Sequence, residues 1–235
     1  AMVLQGKQST YDTDLFQILF RELEGISGKK YGKSESVDVA MRVITDHLRA
    51  VCFSIADSQL PSNNKAGYVI RRILRRAVRY GYTYLGQEEP FIHKLVGVLS
   101  GEMGDAFPEL LSQLDMIEKV IREEESSFLK TLANGIRMLD QIMEDLKKQK
   151  GKQVDGKSAF ILYDTYGFPL DLTRLILREN GLDVSEADFK KEMEAQKTRS
   201  KDAASVSTGD WEEIMPTDST TFVGYDLDSA EIRIS

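Results

Sequence analysis

The sequence is short of the residues on which several kinds of chemistry depend. One cysteine, Cys52, in 235 residues excludes an internal disulfide and any cysteine-based zinc cluster within the chain. It lies among Val51, Phe53 and Ile55 and is expected to be a buried thiol. There are two histidines: His47 sits beside an apolar stripe, where packing or capping explains it better than catalysis, and His93 lies in a mixed segment with no stronger signal. No glycine-rich phosphate loop, HExxH, GxSxG or Cys-His cluster is present. No apolar run approaches the roughly 18 residues a membrane-crossing helix needs, so no membrane span is expected. Ala1 to Lys7 lack the basic, apolar, small order of a secretory signal; a cytoplasmic chain is expected, with a start that looks cut.

What is present supports a folded chain. Hydrophobic residues make up 41% and charged residues 29%, enough for one large or two small domains with a mixed surface. The net charge of -7 argues against a nucleic-acid partner until its distribution is considered. Between Lys65 and Lys94 seven basic residues face two acidic ones, a net of +5, which leaves -12 on the remainder. An acidic chain with one basic stripe suits a defined anionic partner on one face, with non-specific sticking discouraged elsewhere.

Helical periodicity runs almost to the end. Tyr11 to Asp14 offer caps for a helix from Leu15 to Leu23, which Gly25 and Gly28 end. Val37, Ala40, Met41, Ile44, Leu48, Val51, Cys52 and Ile55 recur at steps of three and four and predict a core-facing helix. Pro61 and its Ser and Asn neighbours break it. From Glu109 to Lys148 a pattern led by Leu110, Leu114, Ile117, Ile121, Phe128 and Leu132 predicts a helix that reaches roughly 60 Å if unbroken. Glu123 to Glu125 and Asn134-Gly135 interrupt the stripe, so a bend is expected there, with packing inside the chain favoured over a coiled-coil arm.

The helix from Gly67 to Tyr80 has the clearest division of faces. Ile70, Ile73, Leu74 and Ala77 fall on one side, and Arg71, Arg72, Arg75, Arg76 and Arg79 on the other. Arginine suits phosphate because its planar fork gives paired, permanently charged hydrogen bonds. The same face could instead be a solvated one, paired with acids such as Glu123 to Glu125, and the pattern leaves both readings open. A membrane-surface helix is a third, disfavoured because the apolar side lacks tryptophan and phenylalanine.

After Gly151, Ser158 to Tyr163 is apolar and leads to Asp164-Thr165-Tyr166-Gly167-Phe168-Pro169-Leu170-Asp171. Gly167 can close a helix, Pro169 stops its continuation, and Asp171 is expected to cap the next helix, Leu172 to Glu179. Ser185 with Asp188 forms an acidic capping box. A polar helix then frays into a linker at Ala203 to Gly209, before two short strands expected at Thr220–Tyr225 and Ala230–Ile234. For Asp12 with Asp14, and Asp164 with Asp171, capping explains the residues without invoking a catalytic carboxylate pair.

Five blocks carry a resemblance in order and wording: Tyr11 to Phe16, Asp46 to Arg49, Leu60 to Asn63, Gly67 to Arg79, and Leu162 to Thr173. They resemble the alanyl-tRNA synthetase family, over nearly the whole chain. The resemblance implies a mainly α fold: a multi-helix tRNA-recognition region with a long central helix, followed by the start of a β-barrel domain. It implies residues 1–33 as the tail of a catalytic domain and connector, 34–205 as the acceptor-stem recognition domain, and 206–235 as a linker and first strands toward an editing region. In that family the class II catalytic core, with its ATP-holding arginine, precedes a segment like Met2 to Gly6. This fragment is therefore expected to be inactive alone and to need no cofactor, whereas the parent ligase uses ATP with Mg and carries zinc in its editing domain.

The implied partner is the tRNA specific for alanine, with no DNA and no membrane, and the implied identity element is a G·U wobble pair in the acceptor stem. By position, base recognition falls on Asn63 and Asp164. Phosphate contacts are expected from Lys65, Arg71, Arg72, Arg75, Arg76 and Arg79, with no metal site and no catalytic residue. The alternative is a helical protein-interaction module whose arginine face binds an acidic partner.

Overall fold

Side chains at three- and four-residue steps share one face of a helix, and burying that face supplies most of a helix's stability. In the computed structural model, which describes residues 1–204 and Ser229, with side chains described as far as residue 199, this rule accounts for most of the chain. Helix α1 (Asp14–Ser27) buries Phe16, Leu19, Phe20 and Leu23. It runs through Gly25, contrary to expectation, and stops at Gly28, whose φ of 69° is the left-handed conformation that ends a helix. Helix α2 (Glu35–Ala56) buries Ala40, Met41, Ile44, Leu48, Val51, Cys52 and Ile55. Burial pushes the Cys52 thiol pKa up, so this is an inert packed group. Helix α3 (Lys65–Leu85) packs closely on α2 and exceeds its expected span at both ends.

A 3-10 turn at Ile92–Leu95 leads into α4 (Val96–Met103), then α5 (Pro108–Ser112). The long helix α6 (Leu114–Lys148) has 35 residues, about 50 Å of rise. It begins later than the pattern suggests, because Pro108 opens the separate α5, and it carries no break at either expected interruption. Glutamate is a good helix former, and at Glu124 and Glu125 the stripe is not interrupted but changes from apolar to polar burial. Gly135 is buried because the Phe168 ring lies only 2.3 Å from where a Cβ would stand.

Helix α7 (Gly156–Asp164) is capped by Asp155, whose carboxylate accepts from the Ser158 N–H at 2.8 Å. In α8 (Leu170–Glu179) Asp171 is not the cap: Pro169 holds that position and Asp171 lies in the first turn. Two strands too short to leave a sequence pattern, β1 (Gln153–Val154) and β2 (Asp183–Val184), pair in parallel. The expected capping box opens α9 (Glu186–Ala204): Ser185 Oγ and Asp188 Oδ2 are 2.6 Å apart.

The described fold is thus mainly α. Residues 1–193 form one compact unit with a core from Phe16 to Phe189. Within it Phe20 stacks on Tyr31 at 4.2 Å. Residues 194–235 form a second unit, of which the last part of α9 is described. The expected β region at 206–235, with its two strands, lies outside the described residues except for Ser229. Among the described residues no helix is long and apolar enough to cross a membrane.

Candidate nucleic-acid interface

The two candidate base-reading residues stand at opposite kinds of helix end. The chain between α2 and α3 folds back on the first turn of α3: the Ser62 N–H donates to the Gly67 carbonyl at 3.0 Å, and Ser62 Oγ donates to the Asn64 carbonyl at 2.9 Å. Only glycine permits that approach, since a Cβ at Gly67 would lie 2.2 Å from Ser62 Oγ and 2.4 Å from the Leu60 carbonyl oxygen. The fold-back leaves Asn63 exposed before the N-terminus of α3. Its carboxamide oxygen accepts from Arg71 Nη1. Among the described residues its amide nitrogen has no partner.

Asp164 is the last residue of α7 and is exposed. The turn behind it is pinned from several directions. Gly167 has φ 70°, the Phe168 N–H donates to the Leu162 carbonyl at 2.9 Å, and Thr131 Oγ1 donates to the Tyr166 carbonyl at 2.8 Å. Phe168 is fully buried edge-on to Phe128. Among the described residues the Asp164 side chain makes no hydrogen bond and no ion pair. It does not cap the turn, and a carboxylate at the carbonyl end of a helix gains nothing from the helix dipole. The capping explanation for Asp164 therefore fails on geometry.

The arginine face is not an open surface. Arg79 is 4% exposed; it donates through Nη1 and Nη2 to Glu179 at 3.2 and 2.8 Å and lies over the Tyr80 and Tyr84 rings. Arg75 donates to Glu124 through Nε at 2.7 Å and to the Gly167 carbonyl through Nη1 at 2.6 Å, with its guanidinium over Phe128. Arg71 Nε donates to the same Glu124 carboxylate at 3.2 Å. Arg72 meets Asp171 at 3.5 Å with both side chains about two-fifths exposed. Arg76 is half-buried beside His47, and Lys65 is exposed. The expectation of a uniform arginine surface needs correction at Arg79, which has no free edge for a phosphate.

Two buried ionisable groups border this face. His47 is pushed down to about 4 by desolvation and by the Arg76 charge; it is a packed neutral ring, as its place beside the stripe suggests. Glu125 is fully buried and accepts from the Phe91 and Ile92 N–H groups at 2.9 and 3.2 Å; burial pushes it up to about 7 against those hydrogen bonds. His93 Nδ1 lies 3.7 Å from Glu125, and desolvation with nearby Arg122 and Lys94 lowers its pKa. Among the described residues no group of three or more His, Cys, Asp or Glu could hold a metal ion. Sequence reasoning suggested Glu123 to Glu125 as partners for the arginines without separating their roles: Glu123 is exposed, Glu124 pairs and Glu125 caps the 3-10 turn. It missed Glu179 altogether, because nothing local ties that residue to Arg79 a hundred positions earlier.

The unit is mainly helical and combines an arginine-rich helix with two exposed polar side chains, Asn63 and Asp164. Over residues 1–235 the sequence matches the family model described as tRNA synthetases class II (A), and the chain belongs to that family. It is similar to alanine–tRNA ligase of Bacteroides fragilis, 58% identical over 233 residues that make up 99% of this chain and 27% of the relative. The alanine–tRNA ligase of Christiangramia forsetii is 59% identical over 234 residues, 100% of this chain and 26% of that protein. That of Cytophaga hutchinsonii is 59% identical over 225 residues, 96% of this chain and 26% of its own. The chain thus spans about a quarter of the length of the curated relatives it matches.

Proposed function

We propose that this chain is the tRNA-recognition region of an alanine–tRNA ligase, and that it reads a G·U wobble pair in the acceptor stem through Asn63 and Asp164. The whole protein would attach alanine to its tRNA in the cytoplasm, using ATP with Mg supplied at sites outside this chain. The observation that carries the base-reading assignment is Asp164: an exposed carboxylate, at the wrong helix end for a structural role, on a turn fixed by Arg75, Thr131 and Phe168.

The chemistry of the pair supports it. In a G·C pair cytosine occupies the guanine 2-amino group, whereas wobble displacement leaves that donor free in the minor groove. The A-form minor groove is wide and shallow enough for side chains to enter. A carboxylate is acceptor-only and suits the free amino group; the outward amide N–H₂ of Asn63 suits an acceptor on another edge of the pair or on a ribose. Lys65, which is exposed, Arg72, whose pair with Asp171 is about two-fifths open, and Arg76, which has no carboxylate partner among the described residues, would contact phosphates and set register without reading sequence. Arg71, Arg75 and Arg79 serve the interface by holding it in shape.

Asn63→Ala and Asp164→Ala, each made in the full-length ligase, are expected to cut discrimination between G·U and G·C stems by about 1–3 kcal/mol in aminoacylation efficiency. The loss should fall on the G·U stem and leave the G·C stem nearly unchanged. Circular dichroism and a melting curve accompany the assay. A folded Asp164→Ala protein with undiminished G·U preference would remove the base-reading assignment; an acidic peptide that displaces tRNA from an otherwise unselective arginine face would favour a protein-interaction module.

A further inference from the structure

Asn63 and Gly167 lie 104 positions apart in sequence, yet both are held by one carboxylate through two arginines. Arg71 and Arg75 are four residues apart, hence on one face of α3. Each divides its donors: an Nε–H goes to Glu124 of α6, and an Nη1–H goes outward, from Arg71 to the Asn63 side chain and from Arg75 to the Gly167 backbone. Among the described residues Glu124 is the only group common to both branches, and its side chain is 11% exposed.

We propose that Glu124 is a positioning residue for specificity: it locks the Asn63 segment and the Asp164 turn in register, so that the two sides of the wobble pair are read together. This rests on the reading of Asn63 and Asp164 given above. Three physical arguments lead to it. Recognition by two side chains from separate segments needs each held within about 0.5 Å of its productive position. The guanidinium is planar and presents donors on two edges, so a single arginine anchored at one edge can hold a second group rigidly at the other; a lysine cannot. Arg71 also decides which end of Asn63 faces outward. A guanidinium has donors only, so the carboxamide must offer it oxygen, and the N–H₂ is left for the ligand.

A residue that merely neutralises two arginines would affect stability and leave selectivity untouched. A positioning residue changes selectivity in a protein that remains folded. The test uses the full-length ligase with G·U and G·C acceptor-stem substrates and takes the ratio of their kcat/KM values. Glu124→Gln, which removes the charge that both arginines share, is expected to lower the ratio by about tenfold or more, with the G·C value changed no more than about twofold. Because Glu124→Gln leaves two cations partly buried and can compromise folding, Arg71→Lys supplies a second variant. It keeps the charge, loses the two-edged fork, and should lower the ratio about as far as Asn63→Ala. Combined with Asn63→Ala it should add little, since both remove the same contact.

The outcomes separate the bridge from the reading beneath it. Should Asn63→Ala and Asp164→Ala lower the ratio while folded Glu124→Gln and Arg71→Lys leave it at the wild-type value, the bridge is purely structural and the proposal is overturned. Should Asn63→Ala and Asp164→Ala themselves leave it unchanged, the base-reading assignment falls and takes the bridge with it. Additive losses for Arg71→Lys and Asn63→Ala would show that Arg71 does not act through Asn63, again against the bridge.

Discussion

The two ends of α3 use the same residue type for opposite purposes. At the C-terminal end Arg79 is sealed between Glu179 and two tyrosine rings, and Gly81 is pressed so closely by Phe91 that a Cβ would lie 2.3 Å from its ring. At the N-terminal end Lys65 is exposed and Arg72 shares a half-open pair with Asp171. Between them Arg71 and Arg75 face inward to Glu124 and outward to the two loops. Charge along a helix therefore says little about its use; what stands opposite each residue decides it. The closed end should answer in stability and pH dependence, the open end in salt dependence.

The largest expected effect belongs to the closed end, at the carboxylate that holds Phe91 in place. Glu125 is raised to about 7 by burial, so its contribution to stability is complete below about 4.5 and is lost as pH rises through 7. The loss amounts to roughly 3 kcal/mol. His47, lowered to about 4 mainly by desolvation, acts in the other sense: its contribution is complete above about 6.5 and is lost as pH falls toward 4. The two slopes oppose each other between about pH 4.5 and 6.5. In Glu125→Gln the first disappears, so chemical denaturation from pH 4 to pH 8 should show the variant gaining roughly 3 kcal/mol relative to the parent. A variant whose stability parallels the parent across that range would mean that Glu125 is not a buried carboxylate titrating near neutrality.

Arg79→Ala comes next. Removing one partner of a fully buried pair costs about 3–5 kcal/mol, but Glu179 is 31% exposed and can take up water once abandoned. The loss should therefore be about 2 kcal/mol, much of it from packing of the arginine stem against Tyr80 and Tyr84. Arg72→Ala, which breaks a pair about two-fifths exposed on both sides, should cost less than about 1 kcal/mol. Equal losses in urea titrations of the two variants would erase the difference between the ends of the helix.

How far the sequence reveals this arrangement depends on the range of the interaction. The faces of α1, α2, α3 and α6 follow from spacing alone, because an apolar stripe is a local property with a period. The Ser185–Asp188 box is equally local. Glycines were legible only where they take the left-handed conformation, as at Gly28 and Gly167; Gly25 continues a helix, and Gly135 answers to a ring 33 residues away. The triple glutamate illustrates the limit most clearly. Its helical spacing was available, but whether Glu124 and Glu125 interrupt the core or enter it depends on Arg71, Arg75, Phe91 and Ile92 standing opposite. Asn63 and Asp164 were singled out by family resemblance, and nothing in their own spacing would have paired them. The tie from Glu124 through Arg71 to Asn63, and through Arg75 to the Gly167 carbonyl, could be found only once the helices were assembled.

The smallest effect tests the open end and is read as a slope. Each phosphate contact that a cation makes releases counterions, so log K falls with log salt by about 0.7–0.9 per contact. Titrating an acceptor-stem duplex into the full-length ligase at several salt concentrations should give a slope that Lys65→Ala and Arg72→Ala each flatten by that amount. Between 50 and 200 mM salt one such contact is worth only about 0.6 kcal/mol, so single-concentration affinities would hide it. Arg79→Ala serves as the internal control: its guanidinium is committed to Glu179 and shielded by two rings, so the slope should stay at the parent's value even though the variant is less stable. A flatter slope for Arg79→Ala would mean that the closed end opens to RNA. Unchanged slopes for Lys65→Ala and Arg72→Ala would mean that neither side chain holds a phosphate.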